Sequence, residues 1–120
     1  MKKIKLDQPI KDIQGRNLTT TDTKGKRKNA TLRDYLLLRL GSKFEILQEK
    51  EYFWTYDLGI KIADPKNKEI ELSEDQVEFL KRIIKNNKAK IVKNTPMGPQ
   101  EEESYLFSPY EVGQILKLLS

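Results

Sequence analysis

The stretch SEDQVEFLKRIIKNN, residues 73–87, opens and closes on helix signals. Ser73 stands as N-cap with Gln76 three positions on, the reciprocal spacing of a capping box. Glu74 and Asp75 suit the positive end of the helix dipole, and Lys81, Arg82 and Lys85 suit the negative end. Between them Val77, Leu80, Ile83 and Ile84 form one apolar stripe, with Phe79 beside it. Asn86-Asn87 stops the helix. A stripe of this kind buries against other elements, so the stretch predicts a helix set into a core built by the rest of the chain.

Two further segments carry matching signals. In SPYEVGQILKLLS, residues 108–120, Ser108 is an N-cap, Pro109 sits at N1 and Glu111 at N3, while Val112, Ile115, Leu116 and Leu119 repeat with helical spacing. In TLRDYLLLRLG, residues 31–41, Thr31 and Asp34 set a second capping box. Leu32, Tyr35, Leu36 and Leu40 share a face there, Leu37 and Leu38 widen it, and Gly41 is placed to close the helix in the left-handed conformation. Residues 44–63 also read as helix, with Leu47, Trp54, Leu58 and Ile62 on one face. Gly59 costs that helix about 1 kcal/mol relative to Ala. Trp54 is expected in the core, and Tyr52 and Tyr56 at the surface. Asp64 to Lys68 is a turn.

The N-terminal third reads differently. Ile4 and Leu6 alternate with lysines, Pro9 interrupts them, Gln14-Gly15-Arg16 makes a turn, and Leu18 to Thr21 suits a returning strand. Residues 22–29, DTKGKRKN, hold no apolar side chain and read as a solvated loop. Beyond the central helix, Lys88 to Lys93 reads as a short strand, and Asn94 to Glu103, with two prolines and three glutamates, as a loop. No internal repeat stands out. The sum is an α+β domain spanning 1–120: a basic hairpin and loop over 1–30, a helical core over 31–86, an inserted strand and loop over 87–107, and a C-terminal core helix over 108–120. A small N-terminal hairpin is expected to pack on three to four short helices.

The 120 residues include no cysteine and no histidine. This excludes disulfides, thiolate or imidazole metal sites, and every nucleophile system built on a histidine base. No run approaches the roughly 20 apolar residues of a membrane span. Asp7, Gln8 and Pro9 break any signal-peptide pattern after the first lysines, which predicts an intracellular protein. No cofactor motif is present: GKRKNAT, residues 25–31, lacks the first glycine and the Ser/Thr of a P-loop. Glu101, Glu102 and Glu103, being adjacent, do not converge on one cation, and no carboxylate pair carries a catalytic motif. A non-enzymatic role follows as the expectation.

The net charge of +5 is concentrated at one end. Residues 1–31 hold nine Lys/Arg against three Asp, a net of +6, and the rest of the chain a net of −1. Lys24, Lys26, Arg27 and Lys28 are therefore the candidates for contacting a polyanion, whether a nucleic acid or a nucleotide. Exposed tyrosines and the inserted segment are the candidates for a protein partner: Tyr52, Tyr56, Met97, Glu101, Glu102, Glu103 and Tyr105.

Three blocks, TLRDYLLLRLGS (31–42), IADPKNKEIELSEDQVEFLKRIIKN (62–86) and SYLFSPYEVGQILKLL (104–119), resemble in order a family of small tailed-phage and prophage proteins. The distinctive element is the final S-P-x-x-V-G-Q helix. The resemblance implies a phage setting more than an activity. In that setting the expectation is a non-enzymatic accessory protein that works by protein contact, as an assembly factor, a minor virion component or an inhibitor of a bacterial defence protein, in the host cytoplasm or the virion. The family joins its last two helices through a short connection. Here about twenty residues, Asn87 to Phe107, intervene.

Overall fold

The computed structural model describes residues 1–42 and 48–120, with the backbone alone at residue 91. The part of the expected second helix that falls on 44–47, including Leu47, lies outside the described residues. In chain order the elements are β1 (Lys2–Lys5), β2 (Thr19–Thr21), β3 (Arg27–Asn29), α1 (Leu32–Leu40), α2 (Glu49–Ala63), β4 (Glu69–Leu72), α3 (Glu74–Lys85), β5 (Lys88–Thr95), β6 (Gly98–Tyr105) and α4 (Pro109–Leu119). The fold is α+β. Each of three two-stranded antiparallel sheets stands apart: β1 with β4, β2 with β3, and β5 with β6.

The first strand does not fold back within the N-terminal third as its spacing suggested. It pairs with β4, placing Ile4 opposite Ile70 and Lys2 opposite Leu72. The sequence EIEL at 69–72 alternates as β1 does, so both strands turn one apolar row inward (Ile4, Leu6, Ile70, Leu72) and one charged row outward. That long-range pairing outweighs a local hairpin because it buries both rows at once.

The N-terminal hairpin is instead β2–β3, and residues 22–29 are its turn and second strand rather than a loop. Asp22 explains why. Its carboxylate accepts the amides of Lys24 and Lys26 (both 2.9 Å), its carbonyl accepts the Gly25 amide (3.0 Å), and Gly25 has φ +79°. Ten residues earlier Asp12 does the same for Gln14 (2.9 Å), Arg16 (3.0 Å) and Gly15 (3.0 Å), with φ +81° at Gly15. D-x-x-G-[RK] is thus an internal repeat of two tight turns, too short to stand out in the sequence. In each the aspartate nucleates the turn and glycine supplies the positive φ. Below the turns three backbone segments close a ring: Ile10 N–H donates to Ala30 (2.9 Å), Ala30 to Leu18 (2.7 Å) and Leu18 to Ile10 (2.8 Å).

One core collects Ile4, Leu6 and Ile10, then Leu32, Leu36 and Leu40 of α1, Leu58 and Ile62 of α2, the stripe of α3, Phe107, and Ile115 and Leu119 of α4. Two arginines on α1 organise it. Arg33, buried, donates to the carbonyls of Ile62, Asp64 (2.8 Å) and Asn67 (2.5 Å) and pairs with Asp7. Arg39, only 1% exposed, donates to the carbonyls of Ile83 (2.7 Å), Asn86 and Lys88 (3.2 Å). Each guanidinium therefore covers the C-terminal end of a neighbouring helix, α2 and α3 respectively. There it satisfies carbonyls that have no intrahelical partner and opposes the negative end of the dipole. Gly41 ends α1 in the right-handed region (φ −85°), not the left-handed one expected, because its amide still reaches the Leu37 carbonyl at 2.9 Å.

The C-terminal helix is fastened to the N-terminal region. Gln114, the last residue of the S-P-x-x-V-G-Q motif, exchanges two hydrogen bonds with the Lys11 backbone, both 2.9 Å. Ser108 and Glu111 form its capping box. Glu111 also holds the Tyr35 hydroxyl; burial first, then this carboxylate, pushes the phenol up beyond its usual range.

Candidate functional site

Residues 98–105 form a strand, not part of a loop. β5 and β6 pair over their full lengths, from Lys88 opposite Tyr105 to Thr95 opposite Gly98. The connection is Pro96-Met97, with Gly98 at φ +107° taking the position that needs a positive value. Opposite charges face each other across the backbone ladder: Lys88, Lys90 and Lys93 lie on one strand and Glu101, Glu102 and Glu103 on the other. Lys93 Nζ sits 2.9 Å from a Glu102 oxygen, and Lys88 lies over the Tyr105 ring at 5.5 Å.

The ribbon is rooted by a buried asparagine. Asn87 accepts the Phe107 amide at 3.1 Å, donates to the Ile84 carbonyl, and its own carbonyl takes the Leu106 amide at 2.9 Å. Among the described side chains of the ribbon Ala89 is the last one buried in the body; past it, Val92, Glu101, Glu102 and Glu103 stand in solvent and Met97 at the tip is 91% exposed.

At the foot of the ribbon, among the described residues, lies a groove of about 750 Å³ between α2 and α3, lined in part by Trp54, Phe79, Arg82, Lys85, Lys88 and Tyr105. Trp54 is half-buried, packs against Phe79 at 5.8 Å between ring centroids, and carries the Lys50 ammonium over its face at 5.5 Å. The groove thus offers flat rings under cations, a lining that favours aromatic and carboxylate groups of a ligand. Its one buried anion, Glu51, is bound by Arg82 and by the Gln48 amide (3.1 Å). Burial alone would raise that carboxyl; the Gln48 and Arg82 hydrogen bonds outweigh it and hold it below the ordinary 4.5. With a depressed folded value, the contribution of Glu51 to stability is complete above about 4.5 and is lost as pH falls through the folded value. Glu51→Gln is therefore expected to cost about 1–2 kcal/mol at neutral pH. The gap from the parent protein should close in acid, as read from thermal melts across pH.

No family profile, curated protein or solved structure matches this chain. The site must be judged on its own geometry.

The sequence candidates divide among three places. Met97, Glu101, Glu102, Glu103 and Tyr105 share the ribbon. Tyr52 and Tyr56 lie on an outward face of α2, 52% and 69% exposed. Lys24, Lys26, Arg27 and Lys28 lie on the β2–β3 hairpin, where Lys28 is tied to Asp34 at 3.0 Å and Arg27 and Lys28 alternate across the strand. The four cations do not build one surface. Sequence reading missed the groove residues Lys85 and Lys88 and the exposed Phe53 and Ile60. The complementary runs K-x-K-x-x-K and E-E-E, at hairpin distance across P-M-G, were the available signal for the ribbon. Among the described residues no group of three or more acidic side chains could hold a metal ion.

Proposed function

We propose that this chain is a non-enzymatic accessory protein of a tailed phage and works by binding another protein through the β5–β6 ribbon and the groove at its foot. Its class is an assembly factor, a minor virion component or an inhibitor of a bacterial defence protein, placed in the host cytoplasm or the virion. The observation that carries the reading is the ribbon itself. Two eight-residue strands project from a small core, most of the described side chains beyond Ala89 are exposed, and an isolated two-stranded hairpin gains little stability in water. A chain with so little core gains nothing for its own fold from such an arm, whereas a partner strand or side chain meets open backbone edges, Tyr105 and the groove.

The test is a shortened arm: residues 90–103 replaced by Asn-Gly, which joins the paired Ala89 and Ser104 through a two-residue turn. Its melting temperature is expected to stay within a few degrees of the parent's. A phage or host protein recovered with the tagged parent from infected cells should be absent with the shortened form. Unchanged recovery would contradict the ribbon reading.

A second reading, nucleic-acid binding, rests on Lys24, Lys26 and Arg27, which are exposed and have no ion-pair partner among the described residues. Three free cations support only weak, steeply salt-dependent association. Oligonucleotide anisotropy should show binding at low salt alone; binding that survives physiological salt would favour this second reading.

A further inference from the structure

The two edges of the β5–β6 ribbon are not alike. The Leu106 amide donates to the Asn87 carbonyl at 2.9 Å, so residues 87 and 106 face each other as a hydrogen-bonded pair. Along an antiparallel ladder such pairs alternate with pairs whose amides and carbonyls point away from each other. Carried up the register, the outward groups of β5 are those of Lys88, Lys90, Val92 and Asn94, and those of β6 belong to Pro99, Glu101, Glu103 and Tyr105. The Lys88 carbonyl agrees with this alternation, since Arg39 takes it from outside the ribbon at 3.2 Å. Beyond that point no backbone hydrogen bond from another described element reaches the outward groups of Lys90, Val92 or Asn94.

We propose that the β5 edge, from Lys90 to Asn94, is where the protein partner adds a strand, and that this strand is acidic, with two carboxylates three residues apart and an apolar residue between them. The proposal rests on the ribbon being the partner surface.

Backbone chemistry favours this edge over the other. On β6 the first outward position is Pro99, which has no N–H, and the next two are glutamates. Proline and charge are the usual means by which an edge is kept from pairing. On β5 the outward row from Lys90 to Asn94 has every amide and carbonyl. Val92 in its middle is β-branched and 58% exposed, and an incoming strand would cover it.

Charge sets the chemistry of the occupant. β5 holds three lysines and no acidic residue. Lys90 is exposed and in no ion pair among the described residues, and Lys93 meets Glu102 in an exposed pair of the kind that contributes little. Residues 90 and 93 lie on opposite faces of the strand. A neighbouring strand puts each of its residues on the face of the one it opposes, so carboxylates three apart meet both ammonium groups. One of the two residues between them then lies opposite Val92. A second copy of this chain fits less well: its β5 repeats the lysines, and its β6 carries Pro99 and glutamates that are contiguous rather than three apart.

The probes are the blocked peptide Thr-Glu-Val-Thr-Glu-Val and its counterparts with glutamine or lysine in place of glutamate, titrated at low salt into the isotopically labelled full chain and followed by NMR. The acidic peptide should bind about fivefold or more tightly than the glutamine one. It should slow amide exchange at Lys90, Val92 and Asn94 and leave Glu101 and Glu103 unchanged. Val92→Pro removes an outward amide and no bond of the ladder, and should abolish this binding. Glu101→Pro, at the residue directly opposite, removes an outward amide from the other edge and should leave binding intact. Equal affinity for the three peptides, tighter binding of the lysine peptide, or protection on β6 would overturn the proposal. Recovery from infected cells separates it from the ribbon reading. A partner lost with the shortened arm but kept by Val92→Pro would sink the edge and leave the ribbon standing, whereas one kept by the shortened arm would sink both.

Discussion

Arg39→Met is expected to lower the free energy of unfolding by about 3–5 kcal/mol, a large part of the 5–15 kcal/mol that a domain of this size possesses. The guanidinium is 1% exposed and donates to Ile83, Asn86 and Lys88, the carbonyls that finish α3 and start the ribbon. Methionine fills most of the volume but donates nothing. The buried Ile83 carbonyl and the partly buried carbonyls of Asn86 and Lys88 then lose the donor they have now, and the negative end of the α3 dipole loses its counter-charge. Lysine should not rescue it, because one ammonium cannot span three carbonyls that a planar fork reaches together. Arg16, which pairs with Asp12 at the surface, is the control: Arg16→Met should cost no more than about 0.5 kcal/mol. Urea titrations of the two variants measure the contrast.

Removing residues 108–120 should abolish cooperative folding altogether. Ile115 and Leu119 are fully buried, and Val112 and Leu116 pack against the same cluster. Losing two buried aliphatic side chains costs on the order of 5 kcal/mol with the cavity they leave, before the partly buried pair is counted. Gln114 also goes, and with it the two bonds that hold Lys11 and the N-terminal ring in place. A truncated chain that stays soluble and melts cooperatively would show that α4 is an appendage; loss of the melting transition is the expected result.

Local signals proved sufficient where capping and stripe coincide in one segment. Ser73 with Gln76, Ser108 with Glu111 and Thr31 with Asp34 mark the starts of α3, α4 and α1, and each capping box is present in the structure. What escaped reading was set by distance along the chain. The partner of β1 lies 64 to 70 residues away in β4, and nothing near Ile4 announces it. Arg33 and Arg39 look like surface positions of a helix until the ends of α2 and α3 are brought beside them. For Met97 and the three glutamates composition suggested a loop, where Lys88 to Thr95 and Gly98 to Tyr105 pair as a ribbon. The turns at Asp12 and Asp22 were legible in principle, since the D-x-x-G spacing is the whole mechanism. The outward stripe on α2 was half legible: Tyr52 and Tyr56 were expected at the surface, whereas Phe53 and Ile60 join them only because the opposite face already fills the core.

The decisive measurement is site-specific photo-crosslinking in infected cells, with the reactive group placed in turn at Met97, Tyr105 and Lys24. Ribbon engagement of a protein predicts one protein adduct shared by the Met97 and Tyr105 probes and absent from Lys24. Nucleic-acid adducts from Lys24, with no protein adduct from either ribbon position, would contradict it.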